Sequence, residues 1–224
     1  MVLLSGNAVE MPLVKDVPSI IQGWYLGSET GNAIANIVTG EVNPSGKLPF
    51  SFPVKLADNG AHAFGEISYP GDSINQEYKE DILVGYRWHD TKKIPALFPF
   101  GHGLSYTTFA YDKATLSSKQ MPAEGSLAIS LKVKNNGTLG GKEVVQLYVG
   151  DEKCSVVRPL KELKKFAKVA LNPGEEKLIT FTLTPDDLKF YDEASGDWKV
   201  ESGKFKVYIG ASSTDIRSVT DFVY

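Results

Sequence analysis

The groups in this chain that can carry chemistry are three histidines, one cysteine and a scatter of carboxylates. Their spacing narrows the choices. His62, His89 and His102 stand at no metal-ligand spacing, and Cys154 has no second thiol, so neither a zinc cluster nor an intrachain disulfide is expected. Serines are plentiful, but none sits on a nucleophile elbow. His102 lies between Gly101 and Gly103, where a ring bonded to backbone is a simpler reading than a catalytic one. Asp186 and Asp187 follow Pro185 and read as a capped helical turn rather than a metal site. No metal or cofactor is expected.

Aromatic residues offer a different chemistry, because their faces stack on pyranose rings. Trp24 and Tyr25 can line a sugar site or simply end a buried strand. The run Glu80-Asp81-Ile82-Leu83-Val84-Gly85-Tyr86-Arg87-Trp88-His89-Asp90 is aromatic, apolar and charged at once. In it, Arg87 with Glu80, Asp81 or Asp90 can contact hydroxyls, or can form an ion pair that pins the segment. Trp24, Arg87 and Trp88 are therefore the candidate substrate contacts. Lys161-Glu162-Leu163-Lys164-Lys165 is a charge run expected on a solvated strand edge, where lysines discourage edge pairing.

These residues need elements to hold them. The centre of the chain is residues 97–109, Leu-Phe-Pro-Phe-Gly-His-Gly-Leu-Ser-Tyr-Thr-Thr-Phe. Pro99 removes a backbone donor, and two glycines flank His102 with freedom for positive φ, so helix and strand are both disfavoured. Its aromatic content rules out a solvated linker and predicts an ordered strap. Before it, Met1 to Leu4 reads as a buried parallel strand, residues 12–17 as one helical turn, and residues 19–25 as a second strand. A helix then starts at Ser28 as N-cap, buries the stripe Ala33, Ile34, Ile37 and Val38, and ends at Gly40. Asn43-Pro44-Ser45-Gly46 has the residues of a β-turn, and residues 48–52 are extended. Residues 54–80 read as surface loop. Beyond Phe109 the period becomes two. Leu127, Ile129, Leu131 and Val133 alternate with polar neighbours, and similar runs recur near residues 143–149, 166–171, 177–183 and 205–209. Residues 190–191 and 198–200 flank a Ser195-Gly196 turn. Such strands with turn signals between them make a β-sandwich. The alternation suggests that most of Tyr148, Phe166, Tyr191, Trp198 and Tyr208 point inward.

Composition sets outer limits. Hydrophobic residues at 42% and charged residues at 23% place the chain among globular proteins. A net charge of −3 argues against nucleic acid as a partner. No apolar run reaches the roughly 20 residues of a membrane span, and Met1 to Gly6 lacks the basic start of a secretory signal. Domains seldom open on the first residue of a buried strand, so the chain is expected to be part of a longer protein.

Taken together, several motifs resemble the C-terminal part of family 3 glycoside hydrolases, the β-glucosidase and β-xylosidase family. Asn7-Ala8-Val9-Glu10-Met11-Pro12, Trp24-Tyr25-Leu26-Gly27-Ser28-Glu29-Thr30-Gly31-Asn32-Ala33 and residues 40–49 resemble the end of that family's α/β-sandwich domain. Gly85-Tyr86-Arg87-Trp88 and residues 98–109 resemble the connection onward. Residues 158–163 and 187–192 resemble its fibronectin type III-like domain. The order of the motifs is the strong signal. Leu26 and Ser28 stand where the family often has proline and glutamine, which weakens any ligand role for that loop.

The resemblance implies an α/β segment followed by an all-β, fibronectin type III-like sandwich. It divides the chain at 1–62 (end of the α/β-sandwich domain), 63–110 (connecting segment and strap) and 111–224 (sandwich). It implies a retaining, exo-acting β-glycosidase that releases terminal glucose or xylose, with the substrate bound largely by a (β/α)8 barrel absent from this chain. Retention needs two carboxyls about 5–5.5 Å apart. The aspartate nucleophile would lie on that barrel and the glutamate acid/base upstream of Met1. No catalytic residue is thus assigned here, and the chain alone is expected to be inactive. The resemblance points to a periplasmic or secreted setting for the whole protein. Oligomeric state and compartment are not written in these residues. The alternative is a stand-alone carbohydrate-binding or scaffold module, which would expose an aromatic stripe on one sandwich face. An adhesion domain is a third option that rests on fold alone.

Overall fold

The computed structural model describes residues 1–224 and divides into two compact units, Met1–Tyr106 and Thr107–Tyr224. The first unit opens on β1 (Val2–Leu3), which runs parallel to β2 (Ile21–Gln22) with Val2 opposite Ile21. The strand expected at the start is therefore present and parallel. Its burial is not: Met1, Val2 and Leu4 are exposed. Between the two strands the expected helical turn is a 3-10 turn at Val14–Asp16.

After β2 a 3-10 turn at Gly27–Glu29 leads into α1 (Thr30–Thr39). Ser28 is not the N-cap expected of it, because it sits inside that turn. Thr30 Oγ1 instead donates to the Gly27 carbonyl at 2.6 Å. Gly40 ends the helix as expected, at φ +80°, with its N–H on the Ile37 carbonyl. The apolar stripe of α1 is only partly covered within the unit: Ile34 and Ile37 are half-buried, Ala33 and Val38 exposed. None of its residues is buried, and Val38 is 65% exposed.

The β-turn expected at residues 43–46 does not close. Asn43 is committed elsewhere: its Oδ1 accepts from Ser105 Oγ at 2.9 Å and from the Tyr106 N–H at 2.8 Å. Residues 101–106 thus lie along residues 43–48, and Leu48 and His102 share a backbone hydrogen bond of 2.8 Å. Tyr106 Oη donates to the Ile37 carbonyl, and Lys47 Nζ to the Gly103 carbonyl. Gly101 takes φ +77°. Gly103 is needed for a different reason than the positive φ expected: a Cβ there would stand 2.1 Å from the Gly46 carbonyl oxygen. The strap also begins as regular structure. Leu97 and Phe98 belong to β4 (Ala96–Phe98), which pairs antiparallel with β3 (Phe52–Pro53), Phe98 opposite Phe52. A helix unforeseen in the sequence, α2 (Tyr86–Lys92), precedes β4 and closes at Lys93 with φ +57°.

The second unit holds β5 (Phe109–Tyr111), β6 (Thr115–Leu116), β7 (Leu127–Asn135), β8 (Gly141–Asp151), β9 (Glu162–Leu171), β10 (Glu176–Leu183), β11 (Phe190–Asp192), β12 (Asp197–Lys199), β13 (Lys204–Gly210) and β14 (Ile216–Val223). One sheet has the order β10-β7-β5, with β6 also on β7; the other runs β14-β13-β8-β9. Strands β11 and β12 form a separate hairpin. The alternation read from the sequence becomes a dry core of Leu127, Ile129, Leu131 and Val133 from one sheet against Val145, Leu147, Val207 and Ile209 from the other. Asn135 ties its edge. Its Oδ1 accepts from Thr107 Oγ1 at 2.6 Å, and its Nδ2 donates to the Leu139 and Leu171 carbonyls. The capped turn expected there is Pro185–Leu188, closed by a capping box of Thr184 and Asp187.

Two expectations for this unit need correction. Phe166, Tyr191 and Trp198 point outward and are more than half exposed, while Tyr148 alone of the five is fully buried. In the hairpin, Tyr191 is paired with Trp198, so both rings share the outer face while Phe190 and Asp192 take the inner one. The charge run does lie on an edge strand, β9. Yet Lys161 is buried, with its ammonium 5.9 Å from the ring centroids of Tyr148 and Tyr208.

Candidate functional site

Open α/β sheets bind ligands in the crevice outside the carboxyl ends of their strands. In this chain that place is where β1 runs into residues 4–10 and β2 into residues 23–29. The two loops are tied together. The Gly23 N–H donates to the Leu3 carbonyl at 2.8 Å, and Gln22 Nε2 donates to the Ser5 carbonyl and hydroxyl at 3.1 and 3.2 Å. Glu10, farther along the first loop, accepts from the Leu56 N–H. Glu29 Oε2 accepts from Asn32 Nδ2 at 2.6 Å.

Trp24 holds the second loop in an unusual shape. Its φ of +51° is strained for a bulky L-residue. Packing compensates, since its ring sits 5.1 Å from Phe50, edge-on, and 6.2 Å from Phe52. Phe52 continues to Phe98, and Phe98 stacks on His102 at 5.5 Å. Trp24 is thus half-buried as the outer member of an aromatic row. Tyr25, the next residue, is thrown the other way and is 80% exposed.

Arg87 and Trp88 belong to a second cluster, on α2. The Trp88 indole N–H donates to the Asp58 carbonyl at 3.1 Å, its ring meets Phe64 edge-on at 5.6 Å, and Lys92 lies over it at 5.5 Å. Trp88 is buried, and so is its neighbour His89, whose Nδ1 is 3.1 Å from the Ile94 carbonyl. Arg87 is half-buried on the same helix. Gly60 is small because both Trp88 and Glu80 press on it; a Cβ there would meet each at 3.1 Å. Glu80 is buried with Oε2 lacking any hydrogen-bond donor. The structure therefore sorts Trp24, Arg87 and Trp88 into two aromatic groupings. Tyr25, named beside Trp24 in the sequence, is the ring presented to solvent.

A separate group in the second unit, Asp151, Cys154 and Glu201, brings its ligand atoms within 4.8 Å of one another. Those atoms are already engaged. Asp151 pairs with Arg158 at 3.5 Å, and Glu201 accepts from the Ser155 N–H and hydroxyl. Burial pushes the Cys154 thiol up, away from the thiolate a metal would want.

Comparison with known proteins places both units. Residues 1–106 match the glycosyl hydrolase family 3 C-terminal domain, and residues 143–213 the fibronectin type III-like domain. The beta-glucosidase BoGH3A of Bacteroides ovatus is 63% identical over 223 residues, covering 100% of this chain and 30% of that protein. The thermostable beta-glucosidase B of Acetivibrio thermocellus is 51% identical over 215 residues, covering 96% of this chain and 28% of its own length. Among solved structures, the beta-glucosidase DesR of Streptomyces venezuelae in complex with D-glucose superposes with a TM-score of 0.92 at 37% identity, over 99% of this chain and 28% of that one. The chain spans less than a third of these relatives.

Proposed function

This chain belongs to glycosyl hydrolase family 3, as its C-terminal region, and on that premise we propose that it works within a retaining, exo-acting β-glycosidase that removes terminal β-linked glucose, or xylose, from oligosaccharides. The observation that carries this is the 63% identity to a named beta-glucosidase over the whole chain. In this reading the catalytic aspartate and glutamate both lie upstream of Met1, on a (β/α)8 barrel and on the earlier part of the α/β domain. The chain's own contribution is to complete that α/β layer. The exposed apolar side of α1 and β1, with Val38, Val2 and Leu4, is what such a layer covers.

The test is a chimera in which the C-terminal 30% of BoGH3A is replaced by residues 1–224. The chimera should hydrolyse aryl β-glucoside, and the chain alone should not. Turnover by the chain alone, lost on one carboxylate substitution, would overturn the reading. So would a monodisperse, folded chimera without activity.

A second reading, a non-catalytic carbohydrate-binding module, draws on the outward Tyr191 and Trp198. Their rings meet at 74°, an edge-to-face corner rather than the coplanar stripe that lines up along a glycan. Saturable isotherms with xylobiose, centred on that hairpin, would favour it.

A further inference from the structure

We infer that the loop at residues 66–77 is a docking finger, and that Ile74 at its tip and Tyr78 at its base seat in an apolar, basic-rimmed pocket on the part of the protein that precedes Met1; that such a part exists rests on the glycosidase reading above. The finger is built to hold its shape. Its two arms are cross-bonded: the Gly71 N–H donates to the Glu66 carbonyl at 2.7 Å, the Glu77 N–H to the Ile67 carbonyl at 3.0 Å, and the Ser68 hydroxyl to the Glu77 carbonyl at 2.9 Å. At the tip the Asp72 carboxylate accepts from the N–H groups of Ile74 and Asn75 at 2.7 and 2.6 Å. Gly71 takes φ +86° there, and a Cβ on it would stand 2.6 Å from the Asn75 carbonyl oxygen. What these bonds hold up is apolar. Of residues 66–78 only Ser68 is buried, while Ile74 is 88% exposed, Tyr78 75% and Tyr69 50%. One exposed isoleucine is ordinary. A bonded turn that raises Ile74 almost wholly out of the fold, with two tyrosines behind it, has the form of an anchor.

Charge and shape select the occupant. Residues 64–78 carry Glu66, Asp72 and Glu77 and no lysine or arginine. Hydrogen bonds from Asn75 and Ile74 hold the Asp72 carboxyl below its ordinary range, so it stays ionised. A second copy meeting the finger about a two-fold axis would set these carboxylates against one another. An anionic membrane surface is opposed in the same way. An aliphatic tip offers a glycan neither a stacking face nor a hydrogen bond. A protein pocket with lysine or arginine at its rim fits both the charge and the tip. The upstream polypeptide is the protein surface always at hand, since it is covalently joined and this chain covers only 30% of its relative BoGH3A.

Hydroxyl-radical footprinting tests this by comparing the 224-residue chain with the BoGH3A chimera described above. Labelling of Ile74 and Tyr78 should fall at least about fivefold in the chimera, as for desolvated anchors. Ile74→Asp should lower the chimera's thermal midpoint by at least about 3 °C and leave that of the 224-residue chain unmoved, while Ile74→Val should move neither. Equal labelling in the two proteins would overturn the inference. So would an Ile74→Asp variant that shifts neither midpoint or both alike. Protection that appears in the 224-residue chain as its concentration rises would overturn it by making the occupant a second copy. A chimera that does not fold, where BoGH3A does, would overturn it too, because the pocket then fails to fit. Failure of the glycosidase reading is distinguishable: it shows as a folded chimera without activity, in which the footprint is still read.

Discussion

The two units treat their apolar residues in opposite ways. In Thr107–Tyr224, strict alternation sends Leu127, Leu147, Leu183, Val207 and Ile209 into one shared interior with no exposure. In Met1–Tyr106, the buried apolar residues are Met11, Phe52, Leu83 and Trp88, while Met1, Val2, Leu4, Leu13, Val38, Ile74 and Tyr78 stand in solvent. A sheet pair can close a core out of its own strands. Two separate two-stranded pairs with two short helices do not, because each layer needs another layer to cover it. Self-sufficiency is therefore a property of how an element's period matches the number of layers present, and apolar content alone does not supply it.

The sharpest way to break this contrast is hydrogen exchange. Amides in β7, β8 and β13 should exchange slower than those of α1 by a factor on the order of 10³, as expected if the sandwich opens only globally and the helix locally. Equal protection would refute the contrast. Next in size, Phe205→Ala should cost about 3–5 kcal/mol in denaturant unfolding of the second unit, since Phe205 is buried and stacked on Phe222 at 5.5 Å. Val38→Ser on α1 should stay within about 0.5 kcal/mol.

Asn135→Ala should cost the second unit about 1–3 kcal/mol, because it removes the buried bonds to the Thr107 hydroxyl and the Leu171 carbonyl. The smallest effect sharpens the picture of the hairpin. The Lys199 ammonium, then the Ser195 hydroxyl, holds the Asp192 carboxyl down at about 2. With a depressed folded value, its stabilising contribution is present above the ordinary carboxylate range and is lost as pH falls through about 2. Lys199→Met should move the Asp192 midpoint up toward about 4 in a carboxyl NMR titration. An unmoved midpoint would mean that the ion pair does not set it.

Much of this architecture could be read from residue order. Period two located β7, β8, β10 and β13, and the Pro-Asp-Asp run gave its capped turn. β14 was not read, since Arg217, Ser218, Thr220 and Asp221 interrupt its alternation with polar residues that the sheet tolerates. α2 was hidden because Gly85 and its mix of aromatic and charged residues resemble a loop; burial of Trp88 and His89 stabilises it. Asn43 misled because its side chain serves residues 62 and 63 positions away, which no local turn rule can see. The outward Tyr191 and Trp198 misled because a two-stranded hairpin has a solvent face that alternation cannot tell from a core face. For the candidate site, Trp24 was legible as an aromatic at a strand end. The exposure of Tyr25 depends on the backbone sign at Trp24, which composition does not encode.

The bonding at the junction bears on how such proteins can be taken apart by genetics. Tyr106 gives both its N–H and its hydroxyl to the first unit, and Thr107 gives its hydroxyl to Asn135 of the second. The bonds change owner at the peptide between residues 106 and 107. A deletion endpoint elsewhere inside residues 99–109 leaves one unit with a torn edge, whereas one between Tyr106 and Thr107 keeps each of these bonds in its own unit. One placed in the exposed loop at 122–126 leaves the strap whole but takes β5 and β6 away from β7. Breakpoints in exchange between relatives should therefore be tolerated between residues 106 and 107 and selected against on either side.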